Sequence, residues 1–167
     1  FCSFSDEGTI TVGGAFSTGA LVMNSAKLGY DLAPLAGIPG TIGGAVAGNS
    51  GTGSWGICDY IITLKAILKY NDKVFIGDLG PSAIEYDYRH FKVKGLVAVI
   101  GLTLRAKKDR TGNILSEIQK DRKKRRSSQP VNAKTCGSFF KNPLETGISA
   151  GAMIDECGLK GFKYGGA

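Results

Sequence analysis

Three short stretches hold the side chains best suited to chemistry. The first is Gly37-Ile38-Pro39-Gly40-Thr41-Ile42-Gly43-Gly44-Ala45. Gly40, Gly43 and Gly44 strip side chains from one short segment, and Pro39 stiffens its entry. A backbone stripped in this way can bring N–H groups close to a phosphate or a flat ring. A short helix starting at Ile42 would turn its positive end toward the same point. The pattern is neither GxGxxG nor a Walker loop, and a tight turn with close helix packing accounts for it equally well.

The second stretch is Cys136-Gly137-Ser138-Phe139-Phe140-Lys141-Asn142-Pro143. Ser138 follows a glycine, so its hydroxyl can stand exposed at a turn, and the two aromatics can floor a pocket. Lys141 and Asn142 suit anion and amide contacts. No histidine lies nearby to serve as a base, which makes Ser138 a poor acyl nucleophile. Its hydroxyl can still donate a proton to a sufficiently basic intermediate. The third stretch is Tyr86-Asp87-Tyr88-Arg89-His90-Phe91. An arginine amid aromatics suits a carboxylate or phosphate clamp, or an ordinary cation–π contact.

The elements that must position these residues read as a mixture. Thr9 to Val12 predicts a short strand, followed by a helix capped at Ser17 or Thr18, running to about Lys27 and stopped by Gly29. Asp59 to Tyr70 alternates, with Ile62, Leu64, Ala66, Leu68 and Tyr70 on one face and Thr63, Lys65 and Lys69 on the other. Asn71-Asp72 is a turn signal and Lys73 to Ile76 returns, which predicts a hairpin. Pro81 to Glu85 predicts a helical turn. Leu96 to Leu104 reads as a strand buried on both faces except at Gly101. Asn113 would cap a basic helix with an apolar stripe of Ile114, Leu115 and Ile118, ended by Ser127-Ser128-Gln129-Pro130. Lys134 to Lys141 reads as extended and polar. Ala150 to Gly158 predicts an amphipathic helix. Hairpin-joined strands with short helices give an α+β class, with the character changing near 108–120. The resulting division is 1–108, a connecting basic helix and linker over 109–130, and a second region from 131 to 167.

Composition narrows the function. Of 167 residues 25 are glycine, roughly twice ordinary usage. The formal charge of +7 is local: Arg105 to Arg126 holds 10 Lys+Arg against 3 Asp+Glu, and the rest of the chain is balanced. The densest part, Lys120 to Arg126, lacks interleaved aromatics, so it reads as a solvated helix end suited to the helix dipole, and only remotely as a nucleic-acid patch. Anion contact by one or two of these side chains is the intermediate reading. Cys2, Cys58, Cys136 and Cys157 have no CxxC spacing, so no metal site is expected, and they read as reduced thiols of a cytosolic protein. His90 is the only histidine, and a structural or surface role is expected for it. No apolar run is long enough for a membrane span.

In this order and spacing the motifs resemble the bacterial UDP-N-acetylenolpyruvoylglucosamine reductases. The resemblance is carried by LAGIPGTIGGAVAGNSG from Leu35 to Gly51, Tyr88-Arg89, RRSSQP from Arg125 to Pro130, GSFFKNP from Gly137 to Pro143, and AGAMIDECGLKGFKYGGA from Ala150 to Ala167. The short distance from Arg89 to Ser138 looks like the more compact of the family's two subtypes. The resemblance implies part of the two-subdomain FAD-binding fold shared with vanillyl-alcohol oxidase, then the start of an α+β substrate-binding domain. It implies NADPH-linked reduction of UDP-N-acetylglucosamine enolpyruvate through FAD, in the cytoplasm, for peptidoglycan synthesis, with neither nucleic acid nor membrane insertion involved.

Carried over by motif, Ser138 would be the proton donor, and Arg89 would hold the substrate carboxylate as charge develops. Gly37, Ile38, Pro39, Gly40, Thr41, Gly43, Gly44, Asn49 and Gly51 would line the flavin. Asn142 and Lys141 would meet the UDP diphosphate, and Arg126 an anionic part of cofactor or substrate. Phe91 stands where the family usually has Ser in Tyr-Arg-x-Ser. The family's upstream Gly-x-Gly-Ser-Asn loop and downstream catalytic glutamate lie outside the span of the resemblance, so the chain reads as the middle of the enzyme, with little turnover expected of it alone. The alternative is a non-catalytic flavin or UDP-sugar binder. If the basic segment is a solvated connector, neutralising Lys120, Lys123 and Lys124 leaves duplex-DNA and RNA affinity unchanged in a salt titration; a salt-steep affinity lost with those charges would reverse that reading.

Overall fold

The computed structural model describes residues 1–52, 55–128 and 137–165, with the side chains at 121, 124–126 and 128 outside the description. The chain divides into two compact units, Phe1–Pro130 and Val131–Ala167. Its described elements are β1 (Cys2–Phe4), β2 (Thr9–Gly13), α1 (Thr18–Lys27), β3 (Tyr30–Asp31), α2 (Ile42–Ala47), β4 (Ile61–Tyr70), β5 (Lys73–Leu79), β6 (Glu85–Asp87), β7 (His90–Lys92), β8 (Leu96–Arg105), β9 (Lys107–Lys108), α3 (Ile114–Ser128) and α4 (Ala150–Glu156). The class is α+β, as the sequence implies.

Alternation builds the main sheet of the first unit. It has five antiparallel strands in the order β1-β2-β8-β4-β5. The hairpin between β4 and β5 turns at Asn71 and Asp72, both with positive φ (45° and 61°), the conformation that a two-residue hairpin turn requires and that Asn and Asp tolerate. One sheet face carries Ile10, Val12, Leu64, Ala66, Leu68, Leu102 and Leu104, which meet Leu21 and Val22 of α1 and Ile42 and Val46 of α2 in one core. Burying each large aliphatic side chain contributes about 1.5–3 kcal/mol. Ile114 and Ile118 attach α3 to the same core.

Three expectations are corrected here. Strand β8 is not buried on both faces: Val97 is 59% exposed, and the buried positions are Gly101, Leu102 and Leu104. The sheet is antiparallel and has helices on one face, so the strand's other side stays open. In α3, Leu115 is exposed while Ile114 and Ile118 are buried, because residues four apart share a face and the intervening one turns outward. The first N–H of that helix is held by Asp109, whose Oδ2 accepts from Ile114 N at 3.2 Å, rather than by the side chain of Asn113.

The segment entering α1 is fastened to both the sheet and α2. Gly14 N donates to Ile100 O at 2.6 Å, Gly43 N to Gly14 O at 2.7 Å, Ile42 N to Phe16 O at 2.9 Å and Thr18 N to Gly40 O at 3.0 Å. Ser17 caps α1 by accepting from Ala20 N, and Thr41 caps α2 by accepting from Gly44 N. Gly14 is required by proximity: a Cβ there would lie 2.5 Å from Val99 O and 3.1 Å from Ile100 O.

The second unit is described from 137 onward. Its helix α4 is capped twice, by Ser149 Oγ accepting from Ala152 N at 3.1 Å and by Asn142 Oδ1 accepting from Ala150 N at 3.0 Å. Gly147 and Gly158, both with positive φ, end the flanking turn and the helix. None of its described residues is buried.

Gly14→Ala should cost about 2 kcal/mol or more, because both contacts are rigid backbone. Gly80→Ala, where a Cβ meets nothing within 4 Å, should stay within about 0.5 kcal/mol. Urea unfolding of the two variants against the parent checks both values.

Candidate functional site

The glycine-rich loop presents a mostly open surface. Gly37, Pro39, Gly40, Thr41 and Gly44 are exposed, Ile38 and Gly43 are half-buried, and Ile42 is buried. Gly37 (φ 72°) and Gly40 (φ 102°) both take left-handed backbone, and a Cβ on Gly40 would project into open space. The surface therefore offers backbone rather than side chain to anything that lies on it. The expectation for the start of α2 does not hold in its simple form. The N–H groups of Ile42, Gly43 and Gly44 already donate to Phe16 O, Gly14 O and Thr41 Oγ1, so those donors serve the fold.

A second cluster forms around Arg89. It sits between β6 and β7 with φ 53°. Its Nη1 donates to Asn49 O at 3.2 Å and its Nη2 to Gly51 O at 3.0 Å, while the guanidinium lies 5.0 Å from the Tyr88 ring centroid. The structure therefore brings Arg89 to the stretch just after the glycine-rich segment, although 38 residues separate it from Gly51. Asn49 and Gly51 are both buried. The side chain of Asn49 bonds to protein on both sides, with Nδ2 donating to Asp87 O at 2.9 Å and Oδ1 accepting from Cys58 N at 3.2 Å.

Charge nearby is negative. Asp59 Oδ2 accepts from Gly56 N at 2.7 Å. Burial first, and then the Asp59 carboxylate, pushes the Cys58 thiol up to about 12. Burial, Asp31 and Asp59 push the Tyr60 phenol up to about 12.

In the second unit Ser138, Lys141 and Asn142 are all exposed. Phe139 and Phe140 pack edge to face with centroids 5.3 Å apart, and Phe139 is 82% exposed. Asn142 spends its Oδ1 on α4, which leaves its Nδ2 for a ligand. The Arg126 side chain, together with Cys136 and the extended stretch expected from Lys134 as far as Cys136, lies outside the described residues.

Comparison with known proteins bears on all three motifs. The profile of "UDP-N-acetylenolpyruvoylglucosamine reductase, C-terminal domain" matches residues 129–167. The UDP-N-acetylenolpyruvoylglucosamine reductase of Granulibacter bethesdensis is 34% identical over 172 residues, covering 100% of this chain and 53% of that protein. That of Anoxybacillus flavithermus is 38% identical over 163 residues, covering 95% and 52%. The crystal structure of UDP-N-acetylenolpyruvylglucosamine reductase from Thermus caldophilus superposes with a TM-score of 0.77 at 30% identity, over 98% of this chain and 58% of that one. The chain belongs to the UDP-N-acetylenolpyruvoylglucosamine reductase family. It spans about half the length of the curated relatives it matches.

Within this family framework one group escaped sequence reasoning. No local pattern announces the bonds from the Asn49 side chain to Cys58, nine residues on, and to Asp87, 38 residues on. A cavity of about 460 Å³ also opens beside the loop, lined by Met23, Gly37, Ile38, Pro39, Ile118 and Arg122. Arg122 of the basic helix is the cation on its wall. Among the described residues no helix is long and apolar enough to cross a membrane.

The raised Cys58 pKa gives a signed expectation. The unfolded thiol ionises near 9.0 and the folded one near 12. The fold therefore holds a proton that the unfolded chain releases, and stability falls as pH rises through that window. At pH 8 a maleimide should label exposed Cys157 and spare Cys58 until the chain unfolds. Mass mapping of labelled peptides reads the difference, and rapid native labelling of Cys58 would contradict the burial.

Proposed function

We propose that this chain supplies the flavin-facing loop and part of the substrate site of a reductase that converts UDP-N-acetylglucosamine enolpyruvate to UDP-N-acetylmuramate, with NADPH as reductant, in cytoplasmic peptidoglycan synthesis. The observation that carries the reading is the joining of Arg89 to the Asn49–Gly51 segment, a few residues after the glycine-rich GIPGTIGGA loop with its exposed Gly37, Pro39, Gly40 and Thr41, in a chain of this family.

The fit to FAD rests on that loop. Left-handed Gly40 with open space at its Cβ position is the kind of surface that a flat ring or a diphosphate can approach closely. Gly37, Ile38, Pro39, Gly40, Thr41 and Gly44 would hold the group, with Gly43 backing the loop against Gly14 and Arg126 on an anionic part. Hydride transfer from NADPH to the enolpyruvyl vinyl carbon is the chemistry the flavin supplies when bound.

The protein's share is placement and electrostatics. Arg89 uses two N–H groups on the carbonyls of Asn49 and Gly51, and its remaining donors meet the substrate carboxylate as negative charge builds next to it. Ser138 gives a proton to the adjacent carbon, which needs only an exposed hydroxyl and no histidine partner. Lys141 and the Nδ2 of Asn142 bind the UDP diphosphate. The reaction needs neither a nucleic acid nor a membrane.

The test uses the full-length product of the reading frame that encodes this chain. Ser138→Ala should leave NADPH-dependent flavin reduction intact and lower turnover by about a hundredfold or more. Unchanged turnover would remove Ser138 from the chemistry. Flavin binding with no turnover in the unmutated protein would instead support the non-catalytic binder.

A further inference from the structure

We infer that Asn49 is a positioning residue for Arg89, an inference that rests on the reading of Arg89 as the carboxylate clamp. Arg89 starts from an exposed turn and a left-handed backbone, and a long side chain in that setting has many rotamers to lose. The structure restrains it at both ends through one buried residue, by the backbone carbonyl of Asn49 at the far end and by its side-chain amide at the near end. At the far end the guanidinium rests on the carbonyls of Asn49 and Gly51. At the near end the turn that carries Arg89 is held by Asn49 Nδ2 donating to Asp87 O, 2.9 Å away and two residues before the arginine. The amide itself cannot swing, because its Oδ1 accepts from Cys58 N at 3.2 Å and the residue is 7% exposed.

Asparagine suits the task for two reasons. Its side chain carries a donor and an acceptor at the required reach. It also tolerates the left-handed backbone found here, φ 38°. Gly56 completes the arrangement, since a Cβ at Gly56 would overlap Asn49 Oδ1. Asp at this position would keep the acceptor, lose the donor to Asp87 O and bury a charge in a region that already holds Asp59.

The experiment is a double-mutant cycle in the full-length protein, with Asn49→Gly and Arg89→Ala made singly and together. Asn49→Gly keeps the left-handed backbone available and removes both amide bonds. Three quantities are measured: turnover, the calorimetric Kd for UDP-N-acetylglucosamine enolpyruvate on the oxidised protein, and the rate of flavin reduction by NADPH. Expected for Asn49→Gly are roughly a tenfold or greater loss of turnover and a weaker substrate Kd, both larger than any change in the rate of flavin reduction. In the Arg89→Ala background the same change should add nothing, because its effect runs through the arginine.

Equal losses in both backgrounds, or no loss in the single variant, would overturn the inference. An Arg89→Ala variant with normal turnover and affinity would overturn the clamp reading itself, and with it this role for Asn49. Should Asn49→Gly fail to fold by circular dichroism, Gly56→Ala replaces it in the same cycle. It displaces the amide without deleting it, and the same non-additivity with Arg89→Ala is expected; additivity there overturns the inference equally.

Discussion

The first unit is organised around a place where three pieces of backbone meet with no side chain between them. Gly14 leaves β2, donates to Ile100 of β8 and accepts from Gly43 at the start of α2. The approach is possible only because a Cβ on Gly14 would strike Val99 O. From that junction the sheet sets the position of α2, α2 sets the loop before it, and the Thr18–Gly40 bond returns the loop to the cap of α1. The glycine excess that stands out in the composition is therefore divided between two tasks. Some glycines let the backbone pack against itself, and others leave a bare surface outside. Gly43 and Gly44 sit three and four residues from Gly40, and yet they do different work.

Electrostatics follow the same economy. The excess positive charge is confined to one connecting segment, and α3 holds to the core by Ile114 and Ile118 while Lys120, Arg122 and Lys123 stay exposed. Beside the exposed Asp59, burial and nearby carboxylates push the Cys58 thiol and the Tyr60 phenol up. Arg89 uses part of its hydrogen-bonding capacity on backbone carbonyls. That fixes its geometry without neutralising it.

Much of the architecture was legible in local patterns. Asn71-Asp72 marked its hairpin because two adjacent residues that tolerate positive φ are rare outside such turns. Ser17 or Thr18 marked the start of α1 because an N-cap oxygen is a strictly local device. What escaped depended on distance. Nothing near β8 says whether a second layer will cover its outer face, so an apolar run read as doubly buried when it is half open. The choice between Asp109 and Asn113 as holder of the first α3 amide turned on a loop whose path the sequence leaves undetermined. The three motifs were visible individually. The bond from Arg89 back to Asn49 and Gly51, which turns two of them into one constellation, spans about forty residues and has no sequence signature. The comparisons then extended the family assignment over nearly the whole chain.

The hydrogen bond from Ser50 N to Ala45 O, 2.8 Å long, bears on the chemical ageing of this loop. An asparagine followed by serine ordinarily deamidates when the next residue's backbone nitrogen attacks the side-chain carbonyl and closes a succinimide. Here that nitrogen is already committed to the end of α2, and the Asn49 amide is pinned on both sides by Asp87 and Cys58. Ring closure would require breaking all of these bonds at once. The arrangement that holds the loop in shape thus also slows its spontaneous conversion to aspartate, and the lifetime of Asn49 is set by how often this part of the fold opens.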